Sequence, residues 1–502
     1  MHGVVKTFLV CSLTHLFTST TGEADWREEI GWNLLQLYAG ASLPSGSGIS
    51  LEMAEAGTSY MPDSAHSAFT GISITNISDI SPAVSSHATK VGLNYYGNTT
   101  SLVTGIDTVG VRSADDFVGG FLGTTGTVGT VGTSSAAVMS HAYIDFADPE
   151  LEAALNEIIK RFDFFTQDSG VVNVVGMNNG SSSVVPPLFG SSYNAISVGR
   201  TDGLHSHGST PANYPGPGRQ KPEIVSAAFP NATSYAIGAV ASAATLLHAK
   251  AKLANNANAT HPDTIKACLL AGATKEEFPA WTQTSLKPLD TTFGVGELNV
   301  FHSYRIIEKE ESSQGTSGFH GWARNSANDT QPLTYTFTTP DYEPPLTLSA
   351  ALVWQRGVSG PNYAYDALAN LRLELRDQAG ATIQTSDSAL DNVEHIWNTQ
   401  LAPNTSYSLR VSSSSDTAYL SLAWRVNGVA RAVIAAEASG NDVNINLSSL
   451  IIGAPYIVQR STDMANWSDV HGFTAASDSL AWSDTSVPAG ASVFYRLFFL
   501  EP

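Results

Sequence analysis

Four short stretches carry side chains whose types could do chemistry together. Asn231-Ala232-Thr233-Ser234-Tyr235-Ala236-Ile237-Gly238 places a serine at the mouth of an apolar helix. A hydroxyl there sits at the positive end of the helix dipole, beside unpaired backbone N–H groups that can stabilise an oxyanion. Ser85-Ser86-His87-Ala88-Thr89-Lys90-Val91-Gly92 puts an imidazole in the first turn of another helix. Glu55 follows the apolar run Ile49-Ser50-Leu51-Glu52-Met53-Ala54. A carboxylate at the C-terminal end of a strand lies where open α/β sheets place their sites. Val174-Val175-Gly176-Met177-Asn178-Asn179-Gly180 sets side-chain amides just past a strand, and an amide N–H can also donate to an oxyanion. Each stretch has a plain alternative: a helix cap, one of 13 histidines, a solvated charge, an Asn-Gly turn.

The elements that must hold these residues alternate strand and helix over 25–310. Residues 49–54, 137–144, 171–175 and 195–198 read as buried strands. Residues 87–96, 149–165 and 234–251 read as helices. In 149–165 the apolar residues Leu151, Leu155, Ile158, Ile159 and Phe162 share one face. Such alternation predicts a doubly wound α/β domain, a parallel sheet with helices on both faces. Beyond about 310 the pattern changes to short strands at 333–337, 346–354, 371–375, 393–397, 407–411 and 419–424. That predicts an antiparallel β-sandwich over 311–428. A small all-β module follows over 429–502, with Trp467 and Trp482 as its expected core anchors.

In this order and context the four stretches resemble the subtilisin-like serine protease family, the subtilases. ATSYAIGAVASAATLL is similar to the family's GTSMAAPHVAG pattern, with KPEIVSAA upstream resembling its kPdivApG stretch. SHATKVG resembles sHGTHVAG, VVNVVGMNNG resembles vvaAAGNeG, and YNAISVG resembles naItVGa. The resemblance covers about 48–310 and implies a subtilisin-like sheet. It implies Ser234 as nucleophile, His87 as general base and Glu55 as the group that orients it. Hydrolysis of a polypeptide would then run through an acyl-enzyme. The oxyanion amide falls on Asn178, with Asn179 as the fallback; a gap-free alignment puts Met177 there, which has no N–H to give. The resemblance implies no cofactor for catalysis and leaves structural calcium open, with no ligands defined.

Several positions depart from the family pattern. Glu55 stands where the family has Asp, with Glu52 and Asp63 as other acid candidates. Ala88 and Ala232 replace Gly, Lys90 replaces a second His, and Gly238 replaces Pro. The stretch before residue 49 is too short for the prodomain that many subtilases carry. These departures motivate the alternative, a non-catalytic binding or surface-attachment protein on a subtilase scaffold. The sandwich resembles β-sandwiches that follow some subtilase domains, through Leu346–Trp354, Leu371–Leu375 and Asp391-Asn392-Val393-Glu394. Its Ala369-Asn370-Leu371-Arg372 lacks the acidic pair usual there. A glycan hydrolase would need a close carboxylate pair, and none stands beside these motifs.

Composition bounds the rest. The chain has 502 residues, and at roughly 150 per domain it makes about three domains. Lys plus Arg number 25 against 45 Asp plus Glu, a net charge of -20, which excludes the basic footprint of a nucleic-acid binder. Only 14% of residues are charged while 42% are hydrophobic, so a core can form under a surface of Ser, Thr, Asn, Gln and Gly. Lys6, the apolar stretch 7–17 and a small-residue site after Ala24 read as a signal peptide, 1–24. No later window is apolar enough to span a membrane. With Cys11 in that leader, Cys268 is left alone and no internal disulfide is available. Together these predict a secreted or envelope protein of bacterial type; the role of the last β module, anchoring on the cell surface or contact with glycan, stays open. The Gly/Thr loop 123–135 and Leu204–Ser206 are the stretches expected beside the cleft.

Overall fold

The computed structural model describes residues 25–499, apart from 125–128, 146–147, 329, 415–416, 431, 441, 453, 465 and 489–491. The leader 1–24 and part of the 123–135 loop therefore lie outside the described residues. Seven strands form the first sheet: β1 Ser50–Glu55, β2 Ser73–Asn76, β3 Thr108–Ser113, β4 Val138–His141, β5 Val172–Gly176, β6 Ile196–Arg200 and β7 Ile224–Ser226. Their order is β7-β6-β5-β4-β1-β3-β2, and every neighbouring pair is parallel. The order reverses beside β1, so a crevice is expected at its C-terminal end. Glu55 is the last residue of that strand rather than the first beyond it. Among the described residues no helix is long and apolar enough to cross a membrane.

The His87 helix, Ser86–Tyr95, starts where Ser85 Oγ accepts from the Ala88 N–H at 3.2 Å. That bond satisfies one of the orphan donors of the first turn. The Ser234 helix, Thr233–Leu253, is buried on nearly all sides, as its run of Ala, Val and Leu requires. The two helices touch at Gly238. A Cβ there would stand 2.8 Å from Val91 O and 3.0 Å from Asn94 Cβ. In an open helix Gly→Ala adds about 1 kcal/mol of stability. Here the opposite sign is expected: Gly238→Ala should cost roughly 1–3 kcal/mol, the range for overpacked sites. A fall in the urea midpoint at unchanged slope would show it; a rise would mean that the helices part without strain.

The C-terminal half is antiparallel save for one edge strand, Gly315–Thr316, which runs parallel to its neighbour. A five-stranded sheet faces a four-stranded sheet made of His320–Ala327, Ala418–Ala430, Tyr342–Val353 and Val393–Leu401. Leu346, Leu348, Ala350 and Leu352 point into the core between these sheets. Ala351 and Val353 point the other way, into the core of the α/β unit, together with Trp322, Val393 and Ala423. Both faces of this sheet are thus buried, which explains why 346–354 reads as a nearly continuous apolar run. Helix Pro262–Gly272 packs on its outer face, and Arg425 donates to Ala271 O and Ala273 O, both at 3.0 Å, at that helix's C-terminal end. Cys268 lies fully buried in this helix, its thiol pushed up by burial.

Two three-stranded sheets enclose the last core, which includes Ile434, Val443, Ile445, Tyr456, Val458 and Tyr495. Trp482 packs against that core and stacks on His471, with ring centroids 4.6 Å apart. Trp467, expected in the core, is instead half-buried under the guanidinium of Arg496, 4.2 Å from its ring. The strand around it, Ser468–Thr474, begins one residue later, so Trp467 stays outside the alternation.

Candidate active site

The ends of β1, the His87 helix and the Ser234 helix meet at one place. Glu55 Oε2 lies 2.7 Å from His87 Nδ1. The carboxylate is 2% exposed, and its Oε1 has no hydrogen-bond partner among the described residues. Burial pushes the Glu55 carboxyl up from 4.5, and the hydrogen bond from His87 pulls against it. The bond to Glu55 in turn raises the His87 imidazole above its ordinary 6.5, more than burial and the Lys90 charge lower it. A neutral imidazole bonded in this way carries its proton on Nδ1 and leaves Nε2 as the free base. Glu52 is not at this place: its carboxylate binds Arg112 at 3.1 Å and Ser134 Oγ at 2.6 Å. Asp63 instead caps a turn, accepting from the Ala65 N–H at 3.1 Å.

Ser234 is the second residue of its helix and is partly exposed. The next ring, Tyr235, lies 5.8 Å from the His87 ring, which puts the helix mouth beside the imidazole. Among the described residues no hydrogen bond joins Ser234 to His87. Neither Ser234 nor Thr233 caps the helix. The cap position is Ala232, without a side-chain bond, and the capping acceptor comes from elsewhere. Asn179 Oδ1 accepts from the Thr233 N–H at 2.9 Å. That leaves the Asn179 NH2 and the Ser234 backbone N–H as donors at the same helix mouth.

The neighbouring positions separate clearly. Asn178 is held by its backbone: its N–H donates to Ser206 Oγ at 2.9 Å and its carbonyl accepts from Ser206 N–H at 2.8 Å. Met177 is buried, with its N–H on Val198 O at 3.1 Å. Gly180 follows with φ +85°, so the Asn-Gly pair is also a turn. A bridge between Asn179 and His205 brings Leu204–Ser206 alongside this turn.

Two residues at the site carry weaker sequence signals. Asn94 ties the His87 helix to the loop that leads into the Ser234 helix: its Nδ2 donates to Phe229 O at 2.8 Å, and its Oδ1 accepts from Phe229 N–H at 3.4 Å. His87, Val91 and Asn94 recur at helical spacing, so the face they share was readable. Tyr143 lies past β4. Burial chiefly, and then the Glu55 charge, push its phenol up, and its OH is 3.2 Å from His141 Nδ1. Nothing in the local sequence marks it. Among the described residues no group of three His, Cys, Asp or Glu side chains is placed to hold a metal ion.

No family model matches the chain, and no curated protein does. Solved structures do match. Fervidolysin from Fervidobacterium pennivorans, a keratinolytic enzyme related to subtilisin, is 12% identical with a TM-score of 0.34, over 98% of this chain and 84% of that one. The patellamide maturation protease PatA is 17% identical with a TM-score of 0.32, over 52% of this chain and 97% of that one. Pseudomonas sedolisin, a serine-carboxyl proteinase, is 12% identical with a TM-score of 0.36, over 54% of this chain and 95% of that one. At such identities and scores the likeness transfers no residue role to this chain.

Proposed function

We propose that the chain is a subtilisin-like serine endopeptidase acting on polypeptides. The observation that carries this reading is the buried Glu55 carboxylate 2.7 Å from His87 Nδ1, with the mouth of the Ser234 helix beside the same imidazole. In this reading His87 Nε2 takes the Ser234 hydroxyl proton as Oγ attacks the scissile carbonyl. Glu55 fixes the tautomer and stabilises the imidazolium. The Ser234 N–H and the Asn179 amide receive the oxyanion, so Asn179, the fallback in the sequence reading, takes the role in place of Asn178. His87 then returns its proton to the leaving amine, and water repeats the cycle on the acyl-enzyme. The chemistry requires no cofactor; calcium, if bound, would serve the fold. The leader and the acidic, disulfide-free chain support secretion or an envelope location. The β modules would hold glycan or the cell surface.

The test is labelling with phenylmethylsulfonyl fluoride followed by peptide mapping. Label on Ser234 with loss of peptidase activity supports the reading. The absence of a Ser234–His87 hydrogen bond favours a second reading, a non-catalytic binding protein on the same scaffold. An unlabelled Ser234 in a folded chain that hydrolyses no polypeptide would select it. Apo hydrogen bonds of this kind often close only with substrate in place.

The pH dependence follows from His87. The base must be neutral, and Glu55 raises its pKa above 6.5. Activity should therefore fall on acidification with a midpoint above 6.5. A kcat/KM profile with its acid limb below that value would contradict the Glu55–His87 coupling.

A further inference from the structure

The His87 helix and the Ser234 helix meet one turn behind their reactive side chains. Val91 follows His87 by four residues, and Gly238 follows Ser234 by four. A Cβ on Gly238 would stand 2.8 Å from Val91 O and 3.0 Å from Asn94 Cβ, so the two backbones nearly touch there. That contact limits how closely the helices approach, but it does not hold their first turns at one separation. Asn94 lies seven residues after His87 and therefore on the same helix face. Its side chain reaches from that face to the chain that leads into Ser234.

Asn94 is 2% exposed, and its amide is fully used. Nδ2 donates to Lys90 O at 3.0 Å, one turn back in its own helix, and to Phe229 O at 2.8 Å. Oδ1 accepts from Phe229 N–H at 3.4 Å. The amide has one orientation that works, because a flipped one would set Oδ1 against two carbonyl oxygens. Both polar backbone groups of Phe229 are thus gripped by one buried side chain. The Phe229 ring is 48% exposed, so burial of the ring does little to hold this residue in place. Two further side chains hold the same stretch. Asn231 Nδ2 donates to Asp202 Oδ2 at 3.0 Å, and Thr233 N–H donates to Asn179 Oδ1 at 2.9 Å. Asp202 follows β6 and Asn179 follows β5, so both tie the stretch to the sheet. Of the three, Asn94 alone belongs to the His87 helix.

We propose that Asn94 is a positioning residue, whose grip on the Phe229 backbone sets the separation of Ser234 Oγ and His87 Nε2. This role rests on Ser234 and His87 acting as nucleophile and base; the grip itself does not. Asn94 touches neither reacting atom and acts through the residues from Phe229 to Ser234. Without its amide, both polar groups of Phe229 lose their partner and turn to water, and the stretch tilts away from the His87 helix about its ties to the sheet. A displacement of about 1 Å between reacting groups costs roughly 10²-fold in rate. The Glu55–His87 contact at 2.7 Å is not part of this arrangement, so the acid limb of the pH profile should stay where it is.

The experiment compares the full chain with Asn94→Ala, alone and combined with His87→Ala. Alone, Asn94→Ala should lower kcat against an unfolded polypeptide by about 10²-fold, with KM within about twofold and the acid limb unmoved. Labelling of Ser234 by phenylmethylsulfonyl fluoride should slow by a similar factor. In the His87→Ala background the same substitution should change the residual rate by less than about threefold, because no base remains for Ser234 to be held against. A merely structural residue would lower both backgrounds equally, and that result overturns the proposal. So does a kcat within threefold of wild type. Hydrogen exchange at the Phe229 amide reads the grip apart from catalysis, and protection should be lost in Asn94→Ala. Unchanged protection overturns the proposal at its first step. A wild type that takes no label and hydrolyses nothing, while Asn94→Ala still loses that protection, shows instead that the proposed function has failed, and the catalytic role with it. Should Asn94→Ala not fold, Asn94→Ser replaces it with the same expectations, its hydroxyl bonding back to Lys90 O and leaving Phe229 free.

Discussion

Ser234→Ala is expected to lower peptide hydrolysis by about 10⁶, the scale seen when the nucleophile of such a unit is removed. The hydroxyl supplies the attacking atom, and no other side chain at the helix mouth replaces it. The fold should be untouched. The helix begins at Thr233 and its first N–H is capped by Asn179, so the serine side chain carries none of its start. Activity against an unfolded polypeptide and the urea midpoint should therefore separate, one collapsing and the other unmoved. His87→Ala added to Ser234→Ala should cost little more, because the two act as one unit. A variant that keeps activity within tenfold of wild type would end the nucleophile assignment.

Glu55→Gln should lower turnover by roughly 10⁴ at neutral pH, the scale for an amide in place of the orienting carboxylate. The amide keeps the size of the side chain but loses the charge that stabilises an imidazolium, and it permits the wrong tautomer. The same substitution removes the charge that raises His87 and leaves burial and Lys90, which lower it, so the acid limb should move to lower pH. Glu55→Asp keeps the charge and withdraws it by one methylene from a contact that is now 2.7 Å. It should fall between wild type and Glu55→Gln, with the acid limb still raised. If Glu55→Gln and Glu55→Asp lose equal activity, reach rather than charge governs the site.

Four of the seven strands of the parallel sheet were legible because they are buried on both faces; β3, Thr108–Ser113, and β7, Ile224–Ser226, were not read. The His87 helix was readable to within a residue from Ser85-Ser86 and the spacing of His87 and Val91. β2, Ser73–Asn76, was not: it is an exposed edge strand whose residues have little to bury. His320–Ala327 was missed because Gly321, Arg324, Asn325 and Ser326 blur its alternation, while pairing with Ala418–Ala430 makes it a strand. At the site, the acid, the imidazole and the serine could be proposed from order and context. The choice between Asn178 and Asn179 could not. It depends on which residue the turn after β5 lifts toward the helix mouth, and the bond to Thr233 that favours Asn179 lies between segments far apart in sequence.

The four-stranded sheet of the sandwich lends one face to its own partner sheet and the other to helix Pro262–Gly272. The boundary near residue 310 is thus a change of topology within a shared interior. Strip away the sandwich, and this helix, buried along its whole length, would turn one face to water. An α/β unit cut off near residue 310 would carry that apolar surface uncovered. Whatever the C-terminal half contacts outside, its first service is internal, as the other half of the ground on which Glu55, His87 and Ser234 stand.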